Sequence, residues 1–481
     1  MSWDSTAQAS PAPATLKTDL ESDAIGLLGA TMQAITHIAP AIAGFFFTAF
    51  IVGLAGITAP LAYFIGFLVV LMLGSTLAQL AKHMPSAGGY YTYISRAIHP
   101  RAGLLTSWMY ILYSPIVGGP LAGFFGFIVA GELKAKYGID IPWLPWAAVF
   151  IFAPLTAYLQ WEGIKLSTRF LVITGGLEML IVMALAVSGF LAAPAGVTFS
   201  VFDPGKIGDF TLFSLAVVFT VQGLTGWEAS APLAEETRDP KRNVPLSVML
   251  SIVIIGSFLV IVFLGVISGL SNDATAIADP TAVLPALRLA KNVWGDADII
   301  ILFAFLNSVA AVSIACANVG TRMWYSMARS GSFPSAMAKV HPVHKTPTNA
   351  ILAQMFLNLG MGVLGLILFT PDVAFFFFVG LVLVLGVTVA YLLANVAVFM
   401  FYWREKRDEF NWILHFVFPV VSSLVLIYAI YKSFPQPSPY VWAPALDGAW
   451  LLVGILILVY LRSRGREDWL VKAGQSIGDS V

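Results

Sequence analysis

Long apolar stretches alternate with short polar or Pro/Gly-rich segments along nearly the whole chain. A helix needs about 20 apolar residues to cross a hydrocarbon core of about 30 Å. Only helices and closed barrels satisfy backbone hydrogen bonds inside lipid, and these stretches are too long for barrel strands. The pattern predicts an all-α integral membrane protein with twelve transmembrane helices, near residues 25–54, 59–82, 102–130, 145–160, 168–193, 210–234, 244–269, 298–328, 350–369, 372–402, 412–431 and 447–462.

The composition agrees with a protein whose surface faces a lipid bilayer. Of the 481 residues, 58% are hydrophobic and only 11% are charged, whereas about a quarter of a soluble protein is charged. The formal net charge is zero, so the composition does not indicate a nucleic-acid partner. Cys316 is the single cysteine, which excludes an intramolecular disulfide.

Basic residues predict the orientation of the chain. With a cytoplasmic N-terminus, 20 of the 26 Lys and Arg residues fall in inner segments and six in outer ones. By the positive-inside rule, both termini are cytoplasmic in a multi-pass protein of the cell membrane. Residues 1–24 lack the features of a signal peptide. We expect a disordered cytosolic tail there and a short cytosolic tail at 463–481.

Two predicted spans contain an interruption. In the first span Pro40 lacks an N–H, and its ring clashes with the carbonyl of Thr36. In the sixth span, residues 222–228 contain two glycines and Glu228, and the preceding 210–221 would rise only about 18 Å as a helix. Each could be a simple kink in a packed helix. Together, five spans apart, they fit two inverted five-helix repeats with a substrate site near the midplane.

The breaks supply most of the candidate substrate-binding residues. Helix N-terminal ends attract anions and C-terminal ends attract cations, which suits a zwitterionic amino acid. A lone histidine such as His37 can equally be a hydrogen-bonded packing residue, and Asn307 lies on a stripe of small residues that often marks helix packing. The candidates are Thr36, His37, Ile38, Ala39, Gln222, Gly223, Thr225, Gly226 and Asn307.

Two carboxylates at membrane depth are candidates for proton coupling. Glu178 lies midway along the fifth span, where a charged carboxylate costs several kcal/mol unless it is neutralised or paired. It is a natural proton carrier, and the alternative is a structural carboxyl bonded to a neighbouring helix. Glu228 could sense protons, attract an ammonium group, or hold the unwound segment by accepting backbone N–H bonds.

An aromatic cluster after the second span is a candidate inner gate. Tyr90, Tyr91 and Tyr93 follow Gly88 and Gly89, which permit a tight turn. Anchoring of these tyrosines at the membrane interface is the alternative.

Four stretches of the chain resemble motifs of a known protein family. Residues 85–93 resemble P-x-A-G-G-x-Y-x-Y, and residues 226–228 with 234–245 resemble G-F-E/D and A-E-E-x-x-x-P-x-R-x-x-P. Residues 322–334 resemble the end of the family's eighth span, and residues 339–347 resemble K-V-H-P…T-P. On these motifs the sequence resembles the amino acid–polyamine–organocation transporter superfamily. Ser330 stands where aspartate is usual.

The resemblance implies a LeuT-like fold and a transport function. Ten core helices would occupy 25–402, with repeats at about 25–193 and 210–402, and two peripheral helices would occupy 412–462. It implies a permease that imports amino acids by proton symport with alternating access. Family carriers usually hold the substrate carboxylate on a Gly-rich G-x-G stretch in the first span, where this chain has 36–41 with Pro40. Import or exchange of a small amine or polyamine is therefore the alternative.

Other classes of protein fit less well. The sequence lacks H-E-x-x-H, G-x-S-x-G, a Cys/His metal cluster and a P-loop, so we expect no enzyme activity, cofactor or metal. A substrate sensor that has the same fold but does not transport is the alternative from a different functional class. The expected partners are a small-molecule substrate, a proton and the bilayer, and sodium coupling stays open.

Overall fold

The computed structural model describes residues 18–476 apart from 195, 280–283, 370–372, 434–437, 439 and 466. The tail predicted at 1–24 lies largely outside these residues, whereas most of the tail predicted at 463–481 is described and includes a short helix at Trp469–Lys472. The described residues contain no β-strand, and two isolated bridges pair Ile25 with Thr237 and Val340 with Pro347. The protein is all-helical, as the apolar pattern predicts.

The first half of the chain forms nine α-helices within the described residues, with a π-helix at Ile42–Phe46 and a 3₁₀ turn at Ser114–Ile116. They are α1 (Leu27–Ile38), α2 (Phe47–Ala55), α3 (Ala59–His83), α4 (Tyr90–Ala97), α5 (Pro100–Tyr110), α6 (Gly118–Tyr137), α7 (Leu144–Trp161), α8 (Ile164–Ala192) and α9 (Phe210–Gly223).

The second half follows a 3₁₀ segment at Trp227–Glu236. Its α-helices, in the described residues, are α10 (Pro240–Gly269), α11 (Ala274–Ala278), α12 (Pro285–Trp294), α13 (Ile299–Ser330), α14 (Thr348–Leu368), α15 (Val373–Arg404), α16 (Phe418–Ser433), α17 (Trp442–Ser463) and α18 (Trp469–Lys472).

Eleven helical stretches of the described residues are long and apolar enough to cross a membrane. The sequence predicts twelve, and the difference lies at residues 25–54. That stretch divides into α1, with 12 residues, and α2, with 9, so neither half has the length of a span by itself. The third predicted span is also divided, by residues 111–117 between α5 and α6, which the apolar pattern did not indicate.

The interior is built around α10 and α13. Helix α10 packs against α1, α3 and α8, and α13 packs against α1, α6 and α8. Small residues allow close approach, because a Cβ on Gly265 of α10 would lie 2.5 Å from the carbonyl oxygen of Ala186 on α8. Helices α16 and α17 lie outside this group, and α16 packs on α3 and α15.

A pair of tryptophans attaches α17 to α5. The rings of Trp108 and Trp450 stack with centroids 4.4 Å apart. Each indole N–H donates to the other residue's backbone carbonyl at 2.8 Å. Gly454 leaves room for this arrangement, since a Cβ there would meet the Trp108 ring at 2.6 Å.

Two ion pairs join α13 to the 3₁₀ segment at the face that the sequence predicts as cytoplasmic. Arg322 Nε lies 2.9 Å from Glu236 Oε2, and both side chains are fully buried. Arg329 Nη2 lies 2.5 Å from Glu235 Oε1, which also accepts the Ala87 N–H at 3.0 Å. These contacts hold α13 against the 3₁₀ segment.

We expect Arg322→Met to lower the free energy of unfolding by about 3–5 kcal/mol, because removing one partner leaves a buried carboxylate without its counter-ion. The double variant Arg322→Met/Glu236→Met should recover most of that loss, since no charge is left behind. Thermal melting of the purified protein in detergent measures both. Equal melting temperatures for the single and double variants would contradict this account.

Two glycines of α6 provide a matched test of helix packing. A Cβ on Gly119 would lie 1.9 Å from the carbonyl oxygen of Asn358 on α14, whereas one on Gly131 would meet nothing within 4 Å. Gly119→Ala should destabilise by about 1–3 kcal/mol through overpacking, and Gly131→Ala should stabilise by about 0.5–1 kcal/mol through helix propensity. A lower melting temperature for Gly131→Ala than for Gly119→Ala would refute the close α6–α14 contact.

Candidate functional site

The first break lies where α1 ends at Ile38. Ala39 has a left-handed backbone with φ of 60°, and its N–H turns back to the Thr36 carbonyl at 3.1 Å. Pro40 follows without an N–H, and the chain resumes as the π-helix and α2. The next two amides, of Ala41 and Ile42, therefore need acceptors outside the α1 ladder.

Glu178 on α8 supplies one of those acceptors. Its Oε1 accepts the Ala41 N–H at 2.8 Å, and its Oε2 accepts the Asn307 side-chain amide of α13 at 2.8 Å. Ser308 Oγ lies 3.5 Å from the Ile42 N–H. The carboxyl group on α8 thus contacts both the broken segment, at Ala41, and α13, at Asn307. The structure brings the two predicted residues Glu178 and Asn307 together.

The second break lies directly against the first. Helix α9 ends at Gly223, and Gly226 has φ of 125°, which favours glycine. A Cβ on Gly226 would lie 2.9 Å from the His37 carbonyl carbon. The glycine is needed both for its own backbone conformation and for the contact between the two interrupted segments.

Glu228 holds the second interruption in place. Its Oε2 accepts the Gly226 N–H at 3.1 Å and the Tyr391 hydroxyl at 3.0 Å, and its Oε1 accepts the Tyr110 hydroxyl at 3.0 Å. The carboxyl is fully buried. Three roles were considered for Glu228 from the sequence. This geometry contains the contact needed for one of them, which is the acceptance of a backbone N–H bond.

A cavity of about 190 Å³ lies beside the two breaks. Its polar wall residues are His37, Tyr113, Gln222, Thr225 and Cys316. The rest of the described wall is apolar and carries no formal charge: Ile38, Ala39, Ile42, Phe47, Phe50, Val117, Pro120, Leu121, Phe219, Gly223, Val312, Val379, Gly380, Leu381, Leu383 and Val384.

Six of the nine predicted substrate-binding residues are on this wall: His37, Ile38, Ala39, Gln222, Gly223 and Thr225. The other three lie behind it. Thr36 is buried, with its hydroxyl donating to the Met32 carbonyl at 2.7 Å. Gly226 packs on His37, and Asn307 bonds to Glu178.

His37 has one satisfied and one unsatisfied ring nitrogen. Its Nε2 lies 3.0 Å from Cys316 Sγ, and its ring stacks on Tyr113 with centroids 5.5 Å apart. Its Nδ1 has no hydrogen-bond partner among the described residues, although the side chain is only 3% exposed. Neither Tyr113 nor Cys316 was predicted from the sequence as a candidate for this site. The one signal for Tyr113 is its place just before Ser114-Pro115.

The three predicted gate tyrosines lie away from the cavity wall. All are buried, so none is exposed to lipid as an interfacial anchor. Tyr90 packs on the Tyr110 and Tyr391 rings, with centroids 5.9 and 6.1 Å away. The Tyr91 hydroxyl bonds to Ser330 Oγ at 2.7 Å, and the Tyr93 hydroxyl has no partner in the described part of the chain. Their gating role stays a prediction.

No group of three or more His, Cys, Asp or Glu side chains among the described residues is arranged to hold a metal ion. The acidic groups nearest the breaks are already bonded to backbone amides, Asn307 and tyrosine hydroxyls. The arrangement is that of a small-molecule cavity between helix ends.

Comparison with known proteins identifies the family. The amino acid permease family matches residues 29–465. The low-affinity putrescine importer PlaP of Escherichia coli K12 is 25% identical over 364 residues, which cover 73% of this chain and 75% of that protein. The branched-chain amino acid permease BcaP of Bacillus subtilis is 24% identical over 432 residues, covering 85% and 86%. The resemblance seen in the motifs is confirmed, and the chain belongs to the amino acid permease family, within the amino acid–polyamine–organocation superfamily.

Proposed function

We propose that this chain is a secondary active transporter that imports a small amino acid or amine by proton symport with alternating access. The observation that carries the proposal is the cavity beside two helices that both end inside the bundle, α1 at Ile38 and α9 at Gly223. Interrupted helices expose backbone groups that can bind a polar substrate within the membrane. Membership of a permease family supports the same class.

Glu178 is the proposed proton carrier. Its carboxyl contacts the Ala41 N–H directly beyond the break, so a change in its protonation acts on the segment that borders the cavity. Ala39 and Ile42, on either side of Ala41, are wall residues. Loss or gain of one charge therefore changes the hydrogen bonding of a backbone segment that the substrate touches.

Alternating access requires one face to close while the other opens. The paired Arg322–Glu236 and Arg329–Glu235 support a closed state at the face predicted to be cytoplasmic. We propose that the chain is an importer of the cell membrane. Its termini would be cytoplasmic, and its core over 25–402 would consist of LeuT-like inverted repeats. Tyr90, Tyr91 and Tyr93 would take part in opening that face.

The substrate class and transport itself are both tested by one experiment. PlaP and BcaP carry the names of a putrescine importer and a branched-chain amino acid permease, so an amine and an amino acid are both open as substrates. A substrate sensor of the same fold would bind without accumulation. Uptake in proteoliposomes with an acid-outside pH gradient and no sodium separates these classes, because symport gives accumulation that a protonophore abolishes.

We expect Glu178→Gln to keep substrate binding but to lose pH-driven accumulation, because the amide oxygen still accepts the Ala41 N–H while the side chain no longer exchanges a proton. Asp447→Asn is the matched control, since it removes another buried carboxyl, on α17, outside the cavity wall. Accumulation in Glu178→Gln equal to that of the unaltered protein would rule out the carrier role.

Glu228→Ala should lower stability and uptake together without changing the shape of the pH profile, because the residue holds the interrupted segment. Each donor left unsatisfied costs about 1–3 kcal/mol, and three donors converge on this carboxyl. Melting temperature and uptake between pH 5 and 8 are measured side by side. A normal melting temperature with a shifted pH profile would instead make Glu228 a coupling residue.

A further inference from the structure

The cavity is suited to a substrate with one positive pole and an apolar body. Its described wall residues carry no formal charge, and its sides are formed by groups such as Phe47, Phe50, Phe219 and Leu383. A cavity of about 190 Å³ is suited to a small molecule. Most of the surface of its occupant meets hydrocarbon.

Two helix C-terminal ends border this space. Helix α1 ends at Ile38 and α9 ends at Gly223, and His37, Ile38, Gln222 and Gly223 are all wall residues. Each helix C-terminus is equivalent to roughly half an elementary negative charge. Both ends therefore favour a cation over an anion in the space beside them.

At the opposite pole, the described backbone of residues 40–43 offers no free donor for a carboxylate. Pro40 has no N–H, and the Ala41 N–H donates to Glu178 at 2.8 Å. The Ile42 N–H faces Ser308 Oγ at 3.5 Å, and the Ala43 N–H donates to the Ala39 carbonyl at 2.8 Å. The amides that begin the second half of the interrupted helix are thus absent or already bonded, and the carboxyl of the protein itself occupies that end.

Polar oxygens of the wall complete this pole. Gln222 contributes an amide oxygen and Thr225 a hydroxyl oxygen to the cavity wall. Both oxygens can accept from an ammonium group, as a buried charge must be hydrogen-bonded and balanced.

We propose that the substrate is a monoamine with an apolar body and no carboxylate. The inference rests on the proposed permease function and narrows its substrate class. An amino acid would bring a carboxylate to a site whose backbone amides at that pole are absent or already bonded. A diamine would bring a second positive charge against apolar side chains.

Ligand binding to the purified chain in detergent, measured by calorimetry or thermal shift at neutral pH, tests the proposal. The probes are two matched pairs, 3-methylbutylamine with leucine and 2-phenylethylamine with phenylalanine, together with 1,4-diaminobutane. At least one monoamine should bind 10-fold or more tightly than its amino acid and than the diamine. Equal or tighter binding of the amino acids or the diamine, or no monoamine binding, would overturn the proposal.

Variants of Glu178 test the reason for the preference. Glu178→Ala frees the Ala41 N–H, so the ratio of monoamine to amino acid affinity should fall several-fold. Glu178→Gln keeps an acceptor and should preserve the ratio, as should Leu180→Ala, which alters a lipid-facing residue of the same helix that is 70% exposed. An unchanged ratio in Glu178→Ala contradicts the assigned role, and the ligand comparison on the unaltered protein stands even where that variant does not fold.

Binding and transport fail in distinguishable ways. Tight monoamine binding without pH-driven accumulation in proteoliposomes would contradict the symport proposal and leave the substrate class standing. Proton-driven accumulation of leucine with no monoamine binding would contradict the proposed substrate class and leave the symport proposal standing.

Discussion

A backbone N–H that leaves its helix inside an apolar bundle needs a new acceptor, and this requirement governs the centre of the molecule. Pro40 and the left-handed Ala39 end α1 halfway along its path, and the freed Ala41 N–H is taken by Glu178. One hydrogen bond therefore makes the interruption possible and fixes α8 against it. The same carboxyl also accepts the Asn307 side-chain amide, so α13 is held at the interruption as well.

The second interruption uses the same solution with different partners. Glu228 accepts the Gly226 N–H and draws in hydroxyls from Tyr110 and Tyr391, so α5 and α15 are tied to the turn after α9. Because Gly226 also packs against the His37 backbone, the two interruptions support each other. Each carboxyl stabilises an unwound segment that would otherwise leave polar groups unsatisfied in an apolar environment.

The sequence predicted those features that depend on local composition. The length of the apolar stretches predicted the spans. Pro40 and the glycines near 223–226 predicted the interruptions, because proline and glycine act on the backbone within a few residues. The partners of Glu178 could not be predicted, since Ala41 and Asn307 are far from it along the chain. The part of the cavity wall from Val379 to Val384 was not predicted for another reason. An apolar side chain that faces a cavity cannot be distinguished in the sequence from one that faces lipid.

The two ion pairs between α13 and the 3₁₀ segment bear on how the protein responds to a membrane potential. A voltage does work only on displaced net charge, about 2.3 kcal/mol per elementary charge for each 100 mV. Arg322 with Glu236, and Arg329 with Glu235, are neutral as pairs. A shift of α13 together with the 3₁₀ segment that keeps both pairs intact is electrically silent, whereas separation of either pair makes the same shift sensitive to voltage. The pairing decides whether the electric field can act on this end of the bundle.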